Sequence, residues 1–236
     1  MGLTIHYQIE AEVGVDAAEA RRRVTEGRTL AGRMWLRGEL DEVGPLAWDR
    51  SARKEATIWC GFPIRGRKGA SVEVEVYPLE GFVFRVAVGR DCEPLWLGLC
   101  RYPATVETQL GQRETRLGDR WQFSRFSKTQ YASLHGWEHF LRCHRAIIDL
   151  LAAWRGLGMA VRVTDEGSYW PRRSERVLRR NLEEMNGAIA AVAGRLKDRS
   201  EELGQTGVVA PIFGHRNFEG LEAEGAVRMG GKPSRL

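Results

Sequence analysis

The hydrophobic period of this chain changes near Ser133, and that change restricts its fold more than any other feature. Ahead of Ser133, apolar and polar residues alternate, the period of a strand with one buried face. Val72, Val74 and Val76 alternate with Glu73 and Glu75. Phe82, Phe84, Val86 and Val88 resume the alternation after the turn residues Pro78-Leu79-Glu80-Gly81, so the two runs read as a hairpin. Leu3 to Glu10 reads as a first strand, and Ala56 to Phe62, Trp96 to Tyr102 and Arg120 to Phe126 as others. Beyond Ser133, Trp137, Phe140, Leu141, His144, Ile147, Ile148, Leu151 and Trp154 fall on one helical face. Gly156 and Gly158 end that helix, and Ala160 to Thr164 is a short strand.

A second long helix spans Arg173 to Glu202, with Leu178, Leu182, Met185, Ile189, Val192 and Leu196 recurring at helical spacing. That stripe suits core packing, or pairing of two chains. Nearer the N-terminus, Asp16 caps a helix from Ala17 to about Arg33, although Gly27 costs it about 1 kcal/mol. Trp35 to Arg53, with Gly38, Gly44 and Pro45, reads mostly as connection. These elements specify an α+β fold, a mostly antiparallel sheet covered by two to three long helices. Residues 1–224 form one domain, and the Gly-rich stretch 225–236 has too little to bury and reads as a mobile tail.

A chain of 236 residues, 43% of them hydrophobic, buries a sizeable core without disulfides or structural metal. The N-terminus lacks a basic segment followed by an apolar one, so no signal peptide is expected. No window approaches the length of apolar chain that a membrane span needs. Cys60, Cys92, Cys100 and Cys143 show no CxxC spacing and read as free thiols of the reducing cytoplasm. The formal charge is +5, and only five of the 36 basic side chains are Lys. An Arg bias suits phosphate or carboxylate recognition, and equally a GC-rich genome. The basic turn Gly66-Arg67-Lys68-Gly69 lacks interleaved aromatics and reads as a solvated hairpin tip, so no specific motif supports nucleic acid.

The sharpest local pattern is His135-Gly136-Trp137-Glu138-His139. It has the form H-x-x-E-H, in which two His on one helix face hold a divalent metal such as zinc. Cys143, four residues on, extends that face, whereas Gly136 is a poor residue within such a helix. Cys143 and His144 point about 100° apart on a helix and do not pair with each other. His144 lies in the apolar stripe, as a core histidine or a catalytic one. Lys128 and Tyr131 lie in Ser127-Lys128-Thr129-Gln130-Tyr131, where a strand passes into a helix, a frequent site of ligand contact. Asp165 and Glu166 end a strand, where they either serve acid–base or metal chemistry or cap the helix beginning near Pro171. His6 shares a strand face with Gln8, opposite Ile5, Tyr7 and Ile9.

Five segments, in order, resemble a planctomycete-type family of bacterial proteins. They are Met1-Gly-Leu-Thr-Ile-His-Tyr7, Gly98-Leu-Cys-Arg-Tyr-Pro-Ala104, Phe126-Ser-Lys-Thr-Gln-Tyr-Ala-Ser133, Phe140-Leu-Arg-Cys-His144 and Thr164-Asp-Glu-Gly-Ser-Tyr-Trp170. The chain departs from the pattern at Leu134-His135-Gly136, where the family has Cys-Gly-Gly. The resemblance implies no activity. Two functional expectations stand beside it. One is an enzyme, a hydrolase, with a polar cleft of His6, Lys128, Tyr131, His144, Asp165 and Glu166. The other is a non-catalytic binding or assembly module using the Arg-rich surface and the 173–202 helix, as a homo-oligomer or with another partner.

Overall fold

The computed structural model describes residues 3–64, 69–202 and 207–228. In chain order the elements are β1 (Thr4–Glu10), α1 (Ala17–Leu36), β2 (Glu42–Val43), α2 (Arg50–Glu55), β3 (Ile58–Pro63) and β4 (Ser71–Val76). There follow β5 (Glu80–Ala87), β6 (Leu95–Arg101), β7 (Thr105–Thr108), β8 (Gly111–Glu114) and β9 (Gln122–Lys128). A 3-10 helix at Gln130–His135 leads into α3 (Trp137–Arg155), β10 (Ala160–Asp165), α4 (Glu175–Glu202) and α5 (Phe218–Arg228). The α+β architecture is the one the change of period specifies. Among the described residues no helix is long and apolar enough to cross a membrane.

Six strands form the main sheet in the order β10-β1-β9-β6-β5-β2, every pairing antiparallel. Ile5, Ile9, Phe84, Leu97 and Val161 are buried in one core with Ile147, Leu151 and Trp154 of α3. Trp154 stacks on Phe84 at 6.2 Å between ring centroids. It also explains Gly27, since a Cβ there would stand 2.6 Å from the Trp154 ring. The glycine that weakens α1 as an isolated helix is what lets α1 close on α3. The expected cap is present, with Asp16 Oδ1 accepting the Glu19 amide at 2.7 Å.

The expected hairpin of 72–76 with 82–88 does not form. β4 pairs with β3, Val74 opposite Cys60, while β5 pairs with β6, Phe84 opposite Leu97. Turn residues at 78–81 redirect the chain but do not dictate which strand it joins. Here Leu79 N donates to the Arg101 carbonyl, which carries the chain onto the larger sheet. β5 is buried between β6 and β2, and β4 stays in a half-exposed two-stranded ribbon. A second ribbon, β7 with β8, occupies a stretch in which the sequence showed no strand pattern.

The sheet has one weak seam. β6 and β9 share a single ladder pair, Cys100 with Gln122. Side chains of β1 and β9 reach across to β6 and to the chain just ahead of it. Tyr7 Oη donates to the Trp96 carbonyl at 2.5 Å, and Ser127 Oγ to the Glu93 carbonyl at 3.0 Å.

At the C-terminal end, α4 packs with small residues rather than with the large stripe expected of it. Leu178 and Leu182 are buried, but Leu196 is 52% exposed, and the inner face is Gly187, Ala190, Ala191, Ala193 and Gly194. A Cβ on Gly225 of α5 would collide with the Gly187 carbonyl, so the helix backbones lie in contact. α5 runs through Arg228 with Gly225 and Ala226 buried, which moves the end of the helical chain past the expected boundary at 224. Residues 66–68 of the basic turn and 229–236 of the expected tail lie outside the described residues.

Candidate functional site

The six residues expected to line one cleft are divided between two places. Ile5, on the helix-covered side of β1, pairs with Asp165, and His6 pairs with Phe126 and Thr164. Strand alternation therefore sends Asp165 toward α3 and His6 to the opposite face.

On the helix side, His144 and Asp165 make a buried pair, with side chains 0% and 1% exposed. His144 Nε2 donates to the Asp165 carboxylate at 3.3 Å, and Nδ1 accepts the Thr129 hydroxyl at 3.0 Å. Asp165 also accepts the amides of Gly167, Tyr169 and Trp170 at 2.8, 2.7 and 2.9 Å. Burial pushes its carboxyl up, but the His144 bond and these amides outweigh burial and hold it below its ordinary value. The carboxylate thus fixes the 166–170 turn rather than capping α4, whose first turn bonds to Ser174. Thr129, His144 and Asp165 have the composition of a nucleophile–base–orienter series, but no member reaches solvent. Its chemistry is structural, a satisfied polar network in a core.

Beside it is a network the sequence did not reveal. Gln130 Oε1 accepts the Leu3 amide at 3.0 Å, Gln130 Nε2 donates to Asn186 Oδ1 at 2.8 Å, and Asn186 Nδ2 reaches Ser133 Oγ. These amides tie β1 to α4. Tyr131, next in the chain, is half-buried on the same 3-10 helix.

The helical premise of the H-x-x-E-H pattern fails. Gly136, at φ +95°, separates the 3-10 helix carrying His135 from α3, which begins at Trp137. Both imidazoles hold the connection from β5 to β6. His135 Nε2 donates to Asp91 at 2.5 Å, and His139 Nε2 to the Arg90 carbonyl at 3.0 Å. Among the described residues, no three His, Cys, Asp or Glu side chains are grouped to hold a metal ion.

The opposite face of the sheet is open. A groove of about 470 Å³ runs across β1, β9 and β10 toward β3, with Gln8, Thr57, Ser124 and Thr164 among its lining. Its aromatic walls are Trp59, 62% exposed, Phe126 and His6. His6 lies 5.8 Å from the Phe126 ring, and Lys128 Nζ lies 5.3 Å from that ring. Three of the six expected residues, His6, Lys128 and Glu166, therefore gather at this face.

Among the described residues, the basic side chains at the groove stand beside carboxylates. Arg125 pairs with Glu55, Arg162 with Glu10 at 3.0 Å, Lys128 with Glu93 at 3.2 Å and His6 with Glu166 at 3.9 Å. The Glu166 carboxylate is itself positioned by the Thr4 amide at 2.8 Å. Trp59 carries no sequence signal of its own, because an exposed Trp within an apolar run reads as core.

A second cleft, of about 440 Å³, lies between the 3-10 helix, α4 and α5. Its Trp137 wall is already covered by Arg179, whose guanidinium stands 4.8 Å from the ring.

No family model, no curated protein and no solved structure matches the chain.

Proposed function

We infer that the protein is a ligand-binding module and that its binding surface is the groove on the open face of the sheet. The ligand class is a neutral, polar ring compound, a sugar or short glycan. One observation carries this reading: the exposed Trp59 ring stands beside Arg125, Arg162 and Lys128, each held by a carboxylate. A polyanion is bound by cations that are free to release counterions. Cations already held by Glu55, Glu10 and Glu93 do not supply that. They present instead fixed hydrogen-bonding edges, which with Gln8, Thr57 and Ser124 match hydroxyl groups, while Trp59 offers an apolar face to a ring. Calorimetric titration with a panel of oligosaccharides tests it, with single-stranded oligonucleotides as the rival class. Saturable saccharide binding supports the reading; salt-sensitive binding of oligonucleotides alone contradicts it.

A hydrolase remains the second reading, and the His6–Glu166 pair at the groove favours it. A half-exposed imidazole with a carboxylate 3.9 Å away is a candidate general base within reach of a bound ligand. That reading requires turnover of a bound saccharide that disappears in His6→Ala with binding retained. Membership of the planctomycete-type family, carried by the five sequence segments, belongs to the same proposal and adds no activity to it.

A further inference from the structure

β10 ends the main sheet, so one of its two backbone edges meets no strand. Three bonds set which of its groups face outward. Glu166 N donates to the Thr4 carbonyl at 3.1 Å, Thr129 N to the Leu3 carbonyl at 3.2 Å and Ala11 N to the Trp121 carbonyl at 2.9 Å. Even-numbered residues of β1 therefore bond to β10, and odd-numbered ones to β9. With His6 opposite Thr164, the amides and carbonyls of Val161, Val163 and Asp165 point away from the sheet.

Two of these outward carbonyls are already occupied. Arg155, at the end of α3, donates to the Val161 carbonyl from Nε at 3.2 Å and from Nη2 at 2.8 Å. The same guanidinium stands 4.6 Å from the Trp170 ring, which holds it beside the strand. Ser168 N takes the Asp165 carbonyl at 2.9 Å. Val163 keeps both amide and carbonyl without a partner among the described residues. The edge is otherwise self-complementary. Turned two-fold about Val163, a second β10 sets Val163 opposite Val163, Val161 opposite Asp165 and Arg162 opposite Thr164. No like charges then face each other, and Arg162 is already neutralised by Glu10 at 3.0 Å. Such pairing needs the Val161 carbonyl to accept the Asp165 amide of the second copy, and Arg155 holds that carbonyl.

We propose that Arg155 is an edge guard, which keeps β10 from joining β10 of a second copy of this chain. A free edge offers unpaired amides and carbonyls to another strand, and a charged side chain across it is one way to refuse that strand. Removing the guanidinium adds, on each side of the Val163 pair, a bond from the Asp165 amide to the Val161 carbonyl.

The test is sedimentation velocity of the full chain over a range of concentrations, for wild type, Arg155→Ala and Arg155→Met, with folding checked by circular dichroism. Met keeps an apolar stem against Trp170 and removes every donor. Wild type is expected to hold one mass across the range, and both variants to rise toward twice that mass with concentration. Val163→Pro, added to either variant, is expected to return it to the wild-type mass. The Val163 amide faces away from β1, so proline deletes the central donor and leaves the β1–β10 ladder intact. If only one Arg155 variant folds, that one decides. Folded variants that keep the wild-type mass would overturn the proposal. So would association that Val163→Pro leaves unchanged, or a wild type that itself pairs through this edge. Loss of folding in both Arg155 variants would overturn it too, because Arg155 would then support the fold and not guard its edge.

Discussion

His144 Nε2 and the Asp165 carboxylate lie 3.3 Å apart, with both side chains closed off from solvent. The pair joins α3 to the end of β10 and, through the amides of Gly167, Tyr169 and Trp170, shapes the chain leading to α4. Asp165→Ala removes one charged partner and the acceptor of three amides. Leaving buried donors without an acceptor costs about 1–3 kcal/mol for each unsatisfied group. Urea unfolding of the variant is expected to show an unfolding free energy lower by at least that amount.

The same carboxylate gives a pH dependence with a definite sign. Its folded-state pKa lies below the ordinary 3.8, so its contribution is fully present above that value. It is lost as pH falls through the depressed folded value. Thermal melts of the wild type between pH 5 and pH 2 (a range of about 3 units around the carboxylate pKa) are expected to lose stability more steeply than those of Asp165→Asn.

Gly27 and Gly32 form a paired test of helix packing. Both lie in α1, but a Cβ on Gly27 meets the Trp154 ring, whereas one on Gly32 meets nothing within 4 Å. Gly27→Ala is expected to destabilise by about 1–3 kcal/mol, the usual cost of overpacking. Gly32→Ala is expected to be neutral or to stabilise by up to about 1 kcal/mol through helix propensity. Calorimetric melting temperatures distinguish the two.

Gly27 also shows what a sequence can and cannot express. Its helical propensity is a local property, and it pointed to a weak helix; the reason for its presence is a ring 127 positions away in the chain, Trp154. The same limit explains the hairpin. Alternation identified β4 and β5 as strands, but their partners depend on which edges are free once the whole sheet is assembled. The change of period near Ser133 did specify the α+β class, and Asp16 did cap α1, because both depend on neighbours in sequence. Strand parity in β1 separated His6 from Ile5 correctly. Carried across to β10 it would have placed Asp165 and His6 on opposite faces, but the β1–β10 register cannot be read from either strand alone.

The seam between β9 and β6 depends on side chains where ladder bonds are lacking. Tyr7→Phe removes the hydroxyl that bonds the Trp96 carbonyl and leaves that carbonyl without its partner. The expected cost is about 1–3 kcal/mol. Hydrogen exchange is expected to quicken at the β6 amides near Trp96 more than in β1, which stays paired on both sides.

The most direct test of the account is calorimetric titration of the oligosaccharide panel into wild type, Trp59→Ala and His6→Ala, with melting temperatures measured alongside. Both side chains are mostly exposed, so substitution leaves the melting temperature within about 2–4 °C of wild type. The account predicts saturable binding of at least one neutral saccharide, weakened about tenfold or more in each variant, a loss of about 1.4 kcal/mol. Absence of saturable binding across the panel, or binding that both variants retain in full, would contradict it.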